Sequence, residues 1–403
     1  MTDIIQATGA QANISFWEEV TFNTPPGSPV MYQLAAAVEG VSLKQTVEKL
    51  VSKAVTSSRG VASARGGNID VSGDIPFELP IAGFARLLKH ALGTGTTYRA
   101  VSQDAGLTGI TAQYANNATP TGAGTLALSG SSLTWQANGD GSAGAAVNVA
   151  TAGTYTLQSG TANHELTVVS TGTVSGTTGT VTISSTLKTH VLKRGALPVG
   201  LGFQVAYADI GVYHVFNGCR INKLSFKVGN SGFVTGTMSI TGASCAINTS
   251  SLGTPTAYPH VPYVHHEAAF TEAGVVANVT DISFDLDNGI DPIRCVGSRN
   301  IAIAKEGQGN LSGKATYLFG SADVLNRVLN ETEQDFRIAL SATGAYVGHK
   351  AEFYLPKTKA FGDAGVGIPT TKGLVISLDL QATIDSALAS DIVVTITSTE
   401  QTI

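Results

Sequence analysis

The chain has 403 residues, of which 13% are charged and 43% apolar, with a net charge of −5. That length allows two to four domains, and the apolar content excludes a disordered chain. The mild acidity excludes a surface of clustered Lys and Arg that would grip nucleic-acid phosphates.

Thr, Ser, Ala, Val and 46 Gly dominate the sequence, as in many short strands joined by Gly-rich turns. No apolar run has the length of a membrane span. The first residues, MTDIIQATGA, carry no basic or apolar region of a signal peptide. Cys219, Cys245 and Cys295 are odd in number and widely spaced, which predicts free thiols made in a reducing compartment.

Taken in order, residues 1–35 read as an irregular arm anchored by Phe16, Trp17 and Phe22, with a turn at Pro25-Pro26-Gly27. A strand is expected near Val38–Leu43. From Lys44 to Gly67 the chain carries Lys44, Lys49, Lys53, Arg59 and Arg65 among small residues, and reads as a long projecting loop or extended hairpin. From Ile69 to Leu79, Ile69, Val71, Ile75, Phe77 and Leu79 alternate with Asp70, Ser72, Asp74 and Glu78, the period of a half-buried strand. Pro76 lacks an N–H and predicts a bulge or local edge there. Phe84, Leu87, Leu88 and Ala91 then recur at helical spacing, with Gly93 as the stop.

Between about Ser102 and Leu187 the composition changes: Asp104, Asp140 and Glu165 are the charges and there is no Lys or Arg before Lys188. Short strands are expected around Thr125–Leu128, Leu133–Trp135, Val147–Val149, Tyr155–Leu157, Glu165–Val169 and Thr180–Ser184. Their spacing suggests a small β-sandwich, immunoglobulin-like, inserted at an exposed position. After it, Leu224, Phe226 and Val228 alternate with Ser225 and Lys227. Val234, Met238 and Ile240 alternate with Thr235, Thr237, Ser239 and Thr241 across a Gly-containing turn, which reads as a β-hairpin. Residues 246–275, rich in Pro and His, read as a linker.

One stretch occurs twice. Ser58-Arg59, twelve residues, then Ser72-Gly73 matches Ser298-Arg299, twelve residues, then Ser312-Gly313, 240 positions later. Val324 and Val328 occupy the positions of Phe84 and Leu88 at the same offset. Fixed self-similarity signals a repeated structural unit. The predicted organisation is therefore a first domain over 1–101 and 188–245, an inserted outer domain over 102–187, a linker over 246–275 and a second domain over 276–403.

The order of an Arg-bearing loop, SGxxxxxL, a short helix, a strand hairpin, the strand with YLPK and a final amphipathic strand resembles the major tail tube protein of long, flexible-tailed bacteriophages. The resemblance covers residues 36–100 and 190–390. It implies a mainly β fold of two tandem tube domains, each a β-sandwich with a flanking helix, besides the decorating insert. It implies a non-enzymatic virion protein that self-assembles into stacked rings, three chains per pseudo-sixfold ring, in the host cytoplasm. Its implied partners are other copies, the tape-measure protein, the tail terminator and double-stranded DNA in transit, with no membrane and no cofactor. The polar strand faces, Asp70, Asp74 and Glu78 with Lys314, Thr316 and Asp379, are then expected to line the lumen. Arg59, Arg299, Ser72, Gly73, Ser312 and Gly313 are expected at contacts between rings or subunits. The competing reading is a β-sandwich surface protein for adhesion or carbohydrate binding.

Other constellations are ordinary structure. His260, His265, His266 and Glu267 match no metal-ligand spacing and sit among prolines. Asp285, Asp287 and Gly289 suggest a turn, lacking the closing Glu of a calcium loop. Gly139, Gly141 and Gly144 fit GxGxxG without a following helix. No nucleophile with an ordered base and no paired carboxylates are recognisable.

Overall fold

The computed structural model describes residues 6–34, 37–55, 59–93, 190–362, 373–400 and 403, and the backbone of strands between 108 and 189. The chain divides into two compact units. One holds Met1–Thr96, Lys193–Ile338 and Phe353–Val393; the other holds Thr97–Leu192, Ala339–Glu352 and Val394–Ile403. Strands dominate both.

The first unit begins with β1 (Ala12–Glu19), where an irregular arm was expected. Ile14, Ser15, Phe16 and Trp17 are all buried, so both faces are covered and no period-two pattern survives in the sequence. The next strands are β2 (Lys44–Val51) and β3 (Ala64–Glu78), which form the extended hairpin. The strand starts at Lys44; the expected Val38–Leu43 strand is instead an irregular run tied to β3 by Val38 N–H to Pro76 C=O and Ser42 N–H to Asp74 C=O. Pro76 produces no bulge, since it pairs in register with Thr237. Its carbonyl, and hence the side where an N–H would point, faces the irregular run.

Helix α1 (Ala85–Leu92) follows, nearly all of it buried. Gly93, at φ 106°, stops it and donates its N–H to Lys89 C=O. Glu18 of β1 holds the helix from outside: its carboxylate meets Arg86 at 3.0 Å, Lys89 at 2.9 Å and His90 Nε2 at 2.9 Å. The His90 bond, with Lys89 behind it and burial opposing, holds the Glu18 carboxyl well below the usual carboxylate range. Burial in turn keeps the His90 ring below its ordinary value.

Beyond the insert come β4 (Gly200–Tyr207), paired with β1 from Ala12↔Tyr207 to Glu19↔Gly200, then β5 (Val212–Val228) and β6 (Thr235–Gly242). The second half supplies β7 (Val279–Asp287), the short hairpin β8 (Asp291–Arg294) and β9 (Ile301–Lys305), and β10 (Asn310–Leu318). It continues with α2 (Asp323–Leu329), β11 (Lys350–Phe361) and β12 (Val375–Ala382). The expected linker 246–275 is packed rather than free. Tyr263 is buried, and Thr256, Pro262 and Val264 bridge to Tyr32, Pro80 and Phe233.

Eight strands run side by side, all antiparallel, in the order β2-β3-β6-β5-β7-β10-β12-β11. The row is two similar quartets joined at β5–β7. All seven residue pairs of β10–β12, from Ser312↔Gln381 to Leu318↔Val375, fall on pairs of β3–β6, from Ser72↔Thr241 to Glu78↔Thr235. The offset is 240 on one strand and 140 on the other, so the first quartet holds 100 more residues between its matched strands, and the insert lies there. One face of the row is apolar. At its centre Phe226 of β5 stacks on Phe284 of β7 at 5.0 Å and reaches Phe353 at 4.8 Å and Phe77 at 5.5 Å.

In the second unit, strands Thr108–Gln113, Ala123–Leu128, Ser131–Gln136, Gly153–Ser159 and Ala162–Val168 form a meander, and Thr180–Ser184 pairs back onto Thr108–Gln113. The pairings make one six-stranded sheet. The Thr108–Gln113 strand was not foreseen. The expected strand at Val147–Val149 and the Gly139–Gly144 turn lie outside the described residues. His190 Nε2 lies 2.9 Å from Glu400 C=O, both residues buried.

A carboxyl held low in the fold stabilises fully above its unfolded value of 4.5 and loses that contribution as pH falls towards the folded value. Glu18→Gln is expected to cost about 1–3 kcal/mol at neutral pH, with a smaller difference from wild type in acid below the unfolded value. Urea unfolding at both pH values measures it, and an equal difference at both contradicts the cluster.

Candidate functional site

The second face of the eight-stranded row is mainly polar, interrupted near one end by the half-exposed Leu318, Val375 and Phe361. Alternation puts Asp70, Ser72, Asp74 and Glu78 of β3 on it, opposite Thr235, Ser239 and Thr241 of β6. Ser239 Oγ donates to Asp74 at 2.6 Å. Strand β5 adds Lys223, Ser225 and Lys227; β7 adds Asp281, Ser283, Asp285 and Asp287. Strands β10 and β12 add Ser312, Lys314 and Thr316 opposite Gln381, Asp379 and Ser377. The register thus places the six residues Asp70, Asp74, Glu78, Lys314, Thr316 and Asp379 on one continuous face. It adds Lys223, Lys227 and the three β7 carboxylates, which reading β3, β10 and β12 alone had missed.

The lysines of this face are spread singly. Lys223 meets Asp287 at 3.0 Å and Lys227 meets Asp281 at 3.4 Å across the β5–β7 seam. Lys314 is paired opposite Asp379. The Asp287 hydrogen bond raises the Lys223 ammonium above its ordinary value. Along the seam the cations are interleaved with carboxylates rather than clustered into a patch from which bound phosphates would displace counterions. Asp70 differs from its neighbours: its carboxylate contacts the Arg294 guanidinium, so its charge is partly engaged within the chain.

The Ser-Gly part of the repeated motif takes the same place in each half, whereas its arginines do not. Ser72 and Gly73 lie within β3, Ser312 and Gly313 within β10. A Cβ at Gly73 would lie 2.5 Å from Leu43 Cα and Ser42 O, and one at Gly313 would lie 2.7 Å from Ser283 O. Both glycines are therefore demanded by the close passage of the adjoining segment. Ser42 and Leu43 stand to Gly73 as Ser283 and Phe284 stand to Gly313.

Arg299 sits in the turn between β8 and β9 and is used within the chain. Its Nε donates to Gly67 C=O at 2.7 Å, and its own C=O accepts the Ile69 N–H at 2.9 Å. Arg294 donates to Ile69 C=O at 3.0 Å. Strand β3 outruns β6, whose pairing ends at Val71, and this turn satisfies the edge that protrudes. Arg59, at the same position of the first hairpin, is exposed, and among the described residues no hydrogen bond or ion pair reaches its side chain. Ser58 lies outside the described residues.

The histidine segment is spent on separate partners. His260 lies 3.2 Å from Glu78, His265 3.3 Å from Gly232 C=O, and Glu267 accepts the Val264 N–H at 3.0 Å. Among the described residues no group of three His, Cys, Asp or Glu could hold a metal ion, and no helix is long and apolar enough to cross a membrane. Asp287 accepts the Gly289 N–H at 2.9 Å, the geometry of a turn. Cys219, Cys245 and Cys295 are free thiols.

Gly73→Ala and Gly313→Ala are each expected to cost about 1–3 kcal/mol by overpacking, whereas Ser72→Ala, on the open face, should stay within about 0.5 kcal/mol of wild type. Denaturant midpoints separate the two. Glycine variants as stable as the serine variant would contradict the close-passage argument.

A family model described as phage tail tube protein matches residues 9–382. No curated protein matches the chain.

Proposed function

The chain belongs to the phage tail tube protein family, and from that premise we propose that three copies close into a ring and that rings stack into the tail tube of a long, flexible-tailed phage. The family is a structural one, and the chain is a component of the virion tail. The observation that carries the ring reading is the repeated register. Each chain brings two tube domains, the quartets β2-β3-β6-β5 and β7-β10-β12-β11, joined edge to edge. Three chains then give six quartets around one axis, a pseudo-sixfold ring. A closed ring also removes the exposed outer edge of β2, which an isolated protomer would present to aggregation.

In this reading the polar face turns inward. Asp70, Asp74, Glu78, Lys314, Thr316 and Asp379, with the β5 and β7 charges, line the lumen, and the apolar face lies in the tube wall. A hydroxyl-rich, slightly acidic lining repels or fails to hold DNA phosphates, so the genome passes without specific binding. The inserted unit decorates the outside. The tape-measure protein within the tube and the terminator at its end are the other partners, assembly takes place in the host cytoplasm, and the chain carries no catalytic activity.

Particles carrying Asp74→Lys with Asp285→Lys test both parts together. Averaged electron micrographs are expected to give stacked rings of three chains, and DNA ejection is expected to be slower than wild type. Discrete particles in place of rings contradict the tube; unchanged ejection contradicts the electrostatic part.

A further inference from the structure

Each half of the chain lays a two-residue strand beside a longer one that opens on a 3-10 turn. In the first half Gly9–Gln11 makes the turn and β1 follows. Tyr32–Gln33 then pairs with β1 at Ser15↔Gln33 and Phe16↔Tyr32. In the second half His265–Glu267 makes the turn and the strand Ala268–Glu272 follows. Val275–Val276 pairs with it at Thr271↔Val276 and Glu272↔Val275. Turn and long strand match at one offset, 256, from Gly9 and His265 to Phe16 and Glu272. Val275 therefore takes the place of Tyr32.

The space between strand and helix is filled in the first half and open in the second. Tyr32 lies under the Arg86 guanidinium at 4.2 Å, and Glu18 meets Arg86, Lys89 and His90. At the offset of 240, Asn326, Leu329 and Asn330 replace those three helix residues. Shorter and uncharged, they and Val275 leave a groove of about 400 Å³. Asn326, Asn330 and Thr332 line one side of it, Val275 and Val276 the other. The ion pair of Glu272 with Arg327, both largely buried, forms the floor. Arg327 donates to Gln334 at 2.8 Å, and among the described residues its buried Nε has no hydrogen-bond partner. Val275, Val276 and Leu329 are 70%, 70% and 65% exposed, an apolar rim around a polar floor. Arg327 also lies over the Tyr317 ring at 5.3 Å, and Tyr317 is buried on the apolar face of the row. The groove is thus on the side opposite the polar face.

We propose that this groove binds a tyrosine side chain of another protein, seated as Tyr32 is seated in the first half. The ring packs on Val275, Val276 and Leu329, a burial that aromatic side chains make favourable. The phenol hydroxyl bonds with the amides of Asn326 and Asn330, which can both donate and accept. The groove lies within the range of about 300–1,000 Å³ found for ligand sites. A neutral phenol suits it better than a charged group, because Glu272 and Arg327 already balance each other and a further buried charge would stay unpaired. In the ring reading this side is the outside of the tube, where a partner can reach it; the binding itself does not require the ring.

The test titrates the full chain, methyl-labelled at Val and Leu, with N-acetyltyrosinamide. The methyl signals of Val275, Val276 and Leu329 are expected to shift, and N-acetylalaninamide is expected to leave them in place. Val275→Tyr supplies the ring from within, as Tyr32 does, and is expected to abolish the response. Val20→Tyr, at another exposed valine, is expected to keep it. Asn330→Ala is expected to weaken binding about two- to tenfold, the loss of one hydrogen bond. Should Val275→Tyr misfold, Asn330→Trp blocks the groove from the exposed helix end. No shift with the tyrosine probe, an equal shift with both probes, or a response that survives the blocking variant overturns the site. Val276→Cys, with Cys245 and Cys295 changed to Ser, identifies the occupant. Iodoacetamide is expected to label it equally in protomers and in assembled tubes. Protection on assembly would put a second copy in the groove and overturn the assignment to another protein. Failure to form tubes counts against the ring reading alone, since the titration is read on the protomer.

Discussion

The antiparallel seam between β5 and β7 is the constraint from which the rest of the structure follows. It runs from Lys223↔Asp287 to Val228↔Ile282 and joins two quartets of common register into one row. On its apolar side Phe226 gathers Phe284 and Phe353 from the second half and Phe77 from the first. Aromatic contacts of this kind add to the large area such rings bury, so neither half keeps a complete core without the other. On its polar side Lys223 and Lys227 meet Asp287 and Asp281. Exposed pairs contribute only about 0–1 kcal/mol each; they fix register more than they add stability.

A seam that joins two similar quartets within a chain is also a rule for joining chains. The first quartet ends in an outer strand whose residues Lys44–Val51 are all exposed, while its counterpart β7 is half buried at the seam. The same sequence plan therefore yields one satisfied and one unsatisfied border. A ring of copies is the arrangement that treats both alike. Across the β5–β7 seam the polar face is continuous, because Lys223, Ser225 and Lys227 stand opposite Asp287, Asp285 and Ser283.

Much of this was legible in the sequence. The Ser-Gly duplication stood out because no residue is inserted between Arg and Gly in either copy, and β3 and β10 announced themselves by alternation. The second offset, 140, was hidden because the insert falls between the matched strands. Strand β1 was hidden by being buried on both faces. Glu18 could not be found as the helix anchor, since its partners lie 68, 71 and 72 positions away. Alternation tells which residues of one strand share a face, not which strands adjoin. Lys223, Lys227 and the β7 aspartates therefore joined the polar face only once the pairings were known. The proline- and histidine-rich stretch read as a linker because strand bridges by Thr256, Pro262 and Val264 leave no periodic trace.

Amide hydrogen exchange across Lys44–Val51 tests the central claim most directly, compared between the dissociated protomer and the assembled state. The account predicts that those amides of Lys44–Val51 that point away from β3 exchange freely in the protomer and become protected on assembly, while those of Val279–Asp287 are protected in both states. Exchange at Lys44–Val51 that is the same before and after assembly would contradict it.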